Sequence, residues 1–167
     1  MPDTSHRRRG EGRAFLLPGG DVHTVLLGGE ESGGQLCVLE VRCPPGGGPP
    51  PHTEPTDAFF RVLEGEIEFG LERGGRLETV PLRAGDTAFV PAHAGHSFRN
   101  AGEALARLLV VGRPAGLELF IEDAGTLIPD GENPPETPRV HDREAMEAVF
   151  DRHGVLPFEA ESAVWSD

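Results

Sequence analysis

The chain has no lysine. All 15 of its basic side chains are arginines, they face 28 aspartates and glutamates, and the formal net charge is −13. A balance this acidic offers no basic surface for phosphates, so neither nucleic acid nor an anionic membrane is expected as a partner. The one basic cluster, Arg7-Arg8-Arg9, could open a signal peptide, but such a peptide then needs an apolar stretch of roughly 7 to 15 residues. Only Ala14-Phe15-Leu16-Leu17 follows before Pro18, and residues 1–13 read as a solvated, flexible tail. Long apolar runs are missing as well: nothing approaches the roughly 20 residues of a membrane span. Cysteine is scarce. Cys37 and Cys43 are the only two, and six residues of strand span about 20 Å, beyond the reach of a disulfide. They read as reduced core thiols of a cytoplasmic protein.

What the chain has in quantity is punctuation: 23 glycines and 16 prolines among 167 residues. That length suits one domain, which buries roughly 70 % of its unfolded surface. Short apolar runs separated by Gly and Pro indicate many strands joined by turns, with helices in the minority. The first β-rich run covers 22–28, and 29–34 is a turn. Segment 35–42 alternates, with Cys37, Leu39 and Val41 on one side and Glu40 and Arg42 opposite, the period-2 pattern of a half-buried strand. The loop 43–51 cannot lie inside a sheet, because its prolines lack ladder donors. Further strands are expected near 58–63, 66–71, 77–82, 87–90, 97–99 and 106–111, a spacing that suggests a closed barrel or sandwich. Leu117, Phe120, Ile121 and Ala124 recur at helical intervals up to Gly125. A Pro-rich loop over 128–138 leads to a terminal helix over 142–153, whose Met146, Val149 and Phe150 suit packing on the barrel exterior or on a second subunit. The expected organisation is a tail over 1–13, an all-β barrel over 14–127, and a loop and helix over 128–167.

Two motifs place a histidine after a Gly/Pro loop at the edge of an apolar strand, where a rigid barrel can hold ligands at fixed distances. The first is Gly46-x5-His52-x-Glu54-x3-Ala58-x6-Gly65, closed by Phe59-Phe60-Arg61-Val62-Leu63-Glu64-Gly65-Glu66. The second is Gly85-x5-Pro91-x-His93-x2-His96-x3-Asn100. In order and separation they resemble the two motifs of the cupin superfamily. The wording "PPGGGPPPH", "VLEGE", "AGDTAFVPAHAGHSFRN" and "ARLLVVGRPAGLELF" is similar to the bacterial quercetinase-like group of single-domain cupins, over roughly 20–155. The resemblance implies a double-stranded β-helix, the cupin jelly-roll barrel, with minor C-terminal helices. It also implies one divalent metal, a small-molecule substrate and a homodimer.

The family's ligand positions carry His, His and Glu from the first motif and His from the second. Here they read His52, Glu54, Ala58 and His96. Ala58 cannot bind a metal. His52 and Glu54 are i and i+2, so on an extended segment they share a face, and with His96 they make a two-histidine, one-carboxylate set. That combination suits non-haem Fe(II) with open coordination positions; Ni(II), Mn(II), Zn(II) or Co(II) would fit the same donors. Glu54 can equally be a solvated loop charge, and Asp57 is a reserve carboxylate. His93 and His23 are minor ligand candidates, while His6, His141 and His153 read as tail or surface residues. Alternation turns Phe60, Val62 and Phe98 inward as the substrate pocket, or simply as barrel filling. Phe59, Arg61 and Leu63 then point outward.

Three functions follow. A dioxygenase-like oxidoreductase would act on a small enolate- or phenol-bearing metabolite, with Glu54 as ligand and catalytic base. A non-redox cyclase, isomerase, epimerase or dehydratase would polarise a carbonyl in a bacterial secondary-metabolite pathway. A non-catalytic binding protein would retain the barrel with a decayed metal site.

Overall fold

A computed structural model describes residues 3–129 and 142–159. In chain order the elements are β1 (Arg13–Leu16), β2 (Val22–Leu27), the short helix α1 (Gly29–Ser32), β3 (Cys37–Cys43), β4 (His52–Thr53), β5 (Asp57–Glu64) and β6 (Glu66–Arg73). They continue through β7 (Arg76–Arg83), β8 (Thr87–Val90), β9 (His96–Arg99), β10 (Ala106–Arg113), α2 (Leu117–Ala124), β11 (Thr126–Ile128), α3 (Arg143–His153) and β12 (Leu156–Pro157). Two antiparallel sheets result, ordered β11-β1-β2-β3-β10-β5-β8 and β12-β4-β9-β6-β7. This is the expected cupin jelly-roll architecture, and no helix among the described residues is long and apolar enough to cross a membrane.

Alternation explains the layering. Along β3 the odd positions Cys37, Leu39, Val41 and Cys43 are fully buried while the even ones are half-buried. Along β5 Ala58, Phe60 and Val62 turn inward and Phe59, Arg61 and Leu63 outward. Leu108 and Val110 on β10, Ile67 and Phe69 on β6, and Phe98 on β9 complete a core between the sheets. Both cysteines are unpaired and buried. Burial pushes each thiol up to about 11, which leaves them inert.

Several elements lie where the sequence reading placed none. β1 precedes the run at 22–28 and pairs with β2 and β11; four residues containing Ala14, Phe15 and Leu16 are too few to show a period. β4, β11 and β12 are shorter still and exist because a neighbouring strand completes them. The segment 29–34, read as a turn, contains one turn of helix. Ahead of β1, the Arg7 guanidinium donates to Leu26 O at 3.0 Å and to Glu31 at 2.7 Å. Most of the Pro-rich loop, and His141, lie outside the described residues.

The loop between β3 and β4 positions the site. Gly46 N donates to Asn100 O at 2.8 Å and Asn100 N to Gly47 O at 3.0 Å. The buried Asn100 side chain also donates to Cys43 O and Ala104 O. Gly48 is held at φ 126°, and a Cβ there would stand 2.1 Å from Phe98 O. Only glycine lets the two backbones meet so closely.

Candidate metal centre and cavity

His52 on β4 and His96 on β9 are directly opposite in the ladder, with ring centroids 4.3 Å apart. Glu54 follows β4 and turns back between them: its carboxylate oxygens lie 3.8 Å from His52 Nε2 and 4.0 Å from His96 Nε2. Glu54 and His96 are 4 % and 1 % exposed, and His52 is half-buried. Among the described residues these three form a group whose ligand atoms all lie within 4.8 Å of one another.

The ring orientations suit a cation. His52 Nδ1 is 2.8 Å from Pro50 O and His96 Nδ1 3.3 Å from Ala94 O. With Nδ1–H donating to a carbonyl, each ring turns the lone pair of Nε2 toward Glu54, which is how a metal-binding histidine is oriented. Two donors about 2.1 Å from a tetrahedral centre lie roughly 3.4 Å apart, so small side-chain torsions would close the observed spacings. The residues present therefore fit a divalent metal.

Charge is distributed unequally over the trio. Burial pushes His96 down to about 4, helped by the neighbouring His52. At His52 burial acts the same way, but the neighbouring Glu54 carboxylate outweighs it and holds the ring above its usual value. Burial would raise Glu54, yet the two imidazoles outweigh it and hold the carboxyl below its ordinary range.

The centre opens into a cavity of about 260 Å³. An apolar cavity of roughly 150 Å³ takes up benzene, so this one has room for a substituted ring or a small fused pair. Phe60 and Phe98 line it as expected, whereas Val62 is 1 % exposed in the core and not among the lining residues. Further walls come from Leu117, Phe120 and Ile121 of α2 and from Met146 and Phe150 of α3. The terminal helix thus helps to line the cavity, a role beyond the exterior packing read from its sequence. β12 then pairs with β4, opposite His52 itself. Among the described residues no arginine lines the cavity.

The other candidates stand elsewhere. Asp57 Oδ1 accepts from Ala92 N at 2.9 Å and is exposed. His93, at φ 67°, is exposed, and its backbone N–H donates to Glu54 O at 2.8 Å, so it buttresses the ligand loop without reaching the centre. His6 is exposed. His153 is partly buried rather than on the surface, 2.6 Å from Asp123 Oδ2 and edge-on to Phe120. His23 lines the cavity with Asp21. The sequence offered a signal for it: Val25 is inward by alternation, so His23 shares that face.

A pair of antiparallel sheets carrying two histidines and a carboxylate at its inner end defines a β-barrel with a candidate metal site. Residues 39–112 match the family described as Cupin domain, and the two-sheet barrel has the fold of solved cupins. It is 33 % identical over 82 residues to 3-hydroxyanthranilate 3,4-dioxygenase of Ruegeria pomeroyi, covering 46 % of each chain. It is 32 % identical over 96 residues to polyketide synthase CurC of Streptomyces cyaneus, covering 54 % of this chain and 57 % of that one. The chain thus spans about half the length of these curated relatives. Among solved structures, the polyketide cyclase RemF of Streptomyces resistomycificus superposes with a TM-score of 0.57 at 23 % identity, over 87 % of this chain and 92 % of its own; at that identity the likeness is one of fold.

Proposed function

We propose that the chain is a metal-dependent cupin oxidoreductase of the dioxygenase type, acting on a small neutral molecule that carries an enol or a phenol. The observation that carries this reading is the pair of backbone-anchored imidazoles whose Nε2 atoms face Glu54 at the inner end of an apolar cavity. His52, Glu54 and His96 would hold the metal, with Fe(II) favoured for a two-histidine, one-carboxylate set and Ni(II), Mn(II), Zn(II) or Co(II) as other occupants. The bound metal would supply Lewis acidity and an open coordination position. Glu54, ionised and beside that position, would accept the hydroxyl proton of the substrate. Phe60, Phe98 and Phe120 would hold the ring and keep water out. Neutrality of the substrate rests on the lining: with Glu54 and Asp21 ionised and no arginine lining the cavity among the described residues, an anionic substrate finds nothing cationic in that lining besides the metal. That separates the proposed substrate from the hydroxyanthranilate named for the first relative. Two buried, unpaired thiols support a cytoplasmic setting.

A second reading, non-redox cyclisation or isomerisation, is favoured by the relative named a polyketide synthase. Reconstitution with Fe(II), Ni(II), Mn(II) or Zn(II), followed by oxygen-uptake assays, separates the alternatives. One equivalent of metal and oxygen consumption with flavonols, β-diketones or polyketide-like phenols, exceeding that with 3-hydroxyanthranilate or oxalate, is expected. Conversion of the same compounds without oxygen supports the non-redox reading. Metal content far below one equivalent sinks both and leaves a binding protein.

A further inference from the structure

The cavity contains a second polar pair that the metal reading leaves unused. On β2 the side chains of His23 and Val25 turn inward, 7 % and 6 % exposed. His23 lines the same cavity as His52, Glu54 and His96, and so does Asp21, itself 3 % exposed. Asp21 Oδ2 stands 2.5 Å from His23 Nε2. Burial would raise the Asp21 carboxyl, but the adjoining His23 ring outweighs it and holds the group below its ordinary range. Asp21 is thus a carboxylate and the proton between the two lies on Nε2. Nδ1 is then the second polar atom of the ring.

That Nδ1 is buried and has no hydrogen-bond partner among the described residues. Leaving a buried polar atom unpaired destabilises a fold, and an aliphatic side chain such as Val25, two residues on, fills the same sheet face without that penalty. A histidine fixed by a buried carboxylate and lacking a partner on its other nitrogen is a group awaiting one.

We infer that Asp21 and His23 form a second anchoring station in the cavity: Asp21 orients the ring, and His23 Nδ1 shares a hydrogen bond with a hydroxyl of the bound molecule. The occupant is then a neutral aromatic or enolic compound with two separated oxygen functions, one at the metal centre and one at His23. This inference rests on the reading of the cavity as a metal-assisted phenol or enol site and narrows its substrate class. A site built to pair a hydroxyl rejects the analogue that lacks it, because its own polar atom is left unpaired.

The test uses the full chain loaded with Zn(II), which is redox-inactive, and three probes: 2′-hydroxyacetophenone and its 4′-hydroxy and 5′-hydroxy derivatives. Calorimetric titration should show that one added hydroxyl tightens binding about 5- to 30-fold, the worth of one buried hydrogen bond. His23→Gln places an amide near Nε2, keeps the Asp21 contact and deletes the polar atom at Nδ1. It should bind Zn(II) and the monohydroxy probe within about 2-fold of the wild type while losing the gain. His23→Asn, which puts its amide where Nδ1 stood, should recover part of the gain. In the wild type the ¹⁵N resonance of His23 Nδ1 should move with the favoured dihydroxy probe and stay put with the monohydroxy one, a readout that needs no variant. A gain that persists in His23→Gln, an unmoved resonance, or no gain from either hydroxyl overturns the inference alone. Failure of all three probes to bind the Zn(II)-loaded wild type overturns the phenol-site reading and this inference with it.

Discussion

At the scale of single residues, the metal centre is a problem of proton competition, because both imidazoles must be neutral to ligate. His96, depressed to about 4, carries no proton near neutrality. Glu54, held below its ordinary range, is ionised. His52 alone is held above its usual value, so around pH 6 the metal-free trio holds one proton, on His52. A metal has to displace that proton. Apparent affinity should therefore be flat above the raised His52 value and fall about tenfold per pH unit below it, down to the range of His96. Calorimetry of Zn(II) binding in buffers of different ionisation enthalpy should count one proton released at about pH 6; a count of two would contradict the unequal roles of the two rings. His52→Ala should remove the proton release and weaken Zn(II) binding by more than the roughly 10–100-fold that outer-shell changes cost. The sequence made His52, Glu54 and His96 legible because each follows a Gly/Pro loop at a strand edge. It offered His23 only as a minor ligand candidate, because the meaning of its pairing with Asp21 lies in a cavity wall assembled from distant strands.

At the scale of elements, the longer strands were legible from alternation, and β8 and α2 coincide with their sequence-read bounds. The short strands were not, because β4 and β12 have two residues each and gain their definition from a partner far along the chain. Nor could helical periodicity alone say that α3 supplies cavity-lining residues. The loop ahead of β4 shows how such non-local contacts set the site. Gly48 is pressed against Phe98, two residues past His96, so this contact ties the His52 loop to the strand bearing its partner ligand. Gly48→Ala would place a methyl group 2.1 Å from Phe98 O at φ 126°. The loop has to move, at a cost of about 2 kcal/mol or more. That corresponds to a Tm lower by roughly 4–8 °C for a chain of this size, and Zn(II) binding should weaken in parallel as His52 shifts away from His96. A melting curve within about 1 °C of the wild type would mean that the loop is not pinned to β9.

At the scale of the whole molecule, charge and apolar surface pull in opposite directions. Two copies that each carry −13 repel one another, so the homodimer we propose has to be held by apolar contact. Phe59, Leu63 and Phe89 are 39 %, 37 % and 60 % exposed. Phe59 and Phe89 are ladder partners, and β8, which carries Phe89, ends the seven-stranded sheet. An exposed apolar edge is a surface that a second copy can cover. Light scattering should then give twice the chain mass of 17.9 kDa. The dimer should tighten as salt rises from low to physiological strength, where charges beyond about 8 Å are screened. Phe89→Glu adds a carboxylate to each copy at the centre of this edge and should yield monomers that still bind one Zn(II) per chain, since Phe89 faces away from the cavity. A wild type that runs as a monomer at every salt concentration sinks the dimer. A dimer that survives Phe89→Glu and weakens with salt places the contact elsewhere and makes it polar, because salt strengthens apolar association between like-charged copies and loosens one held by ion pairs.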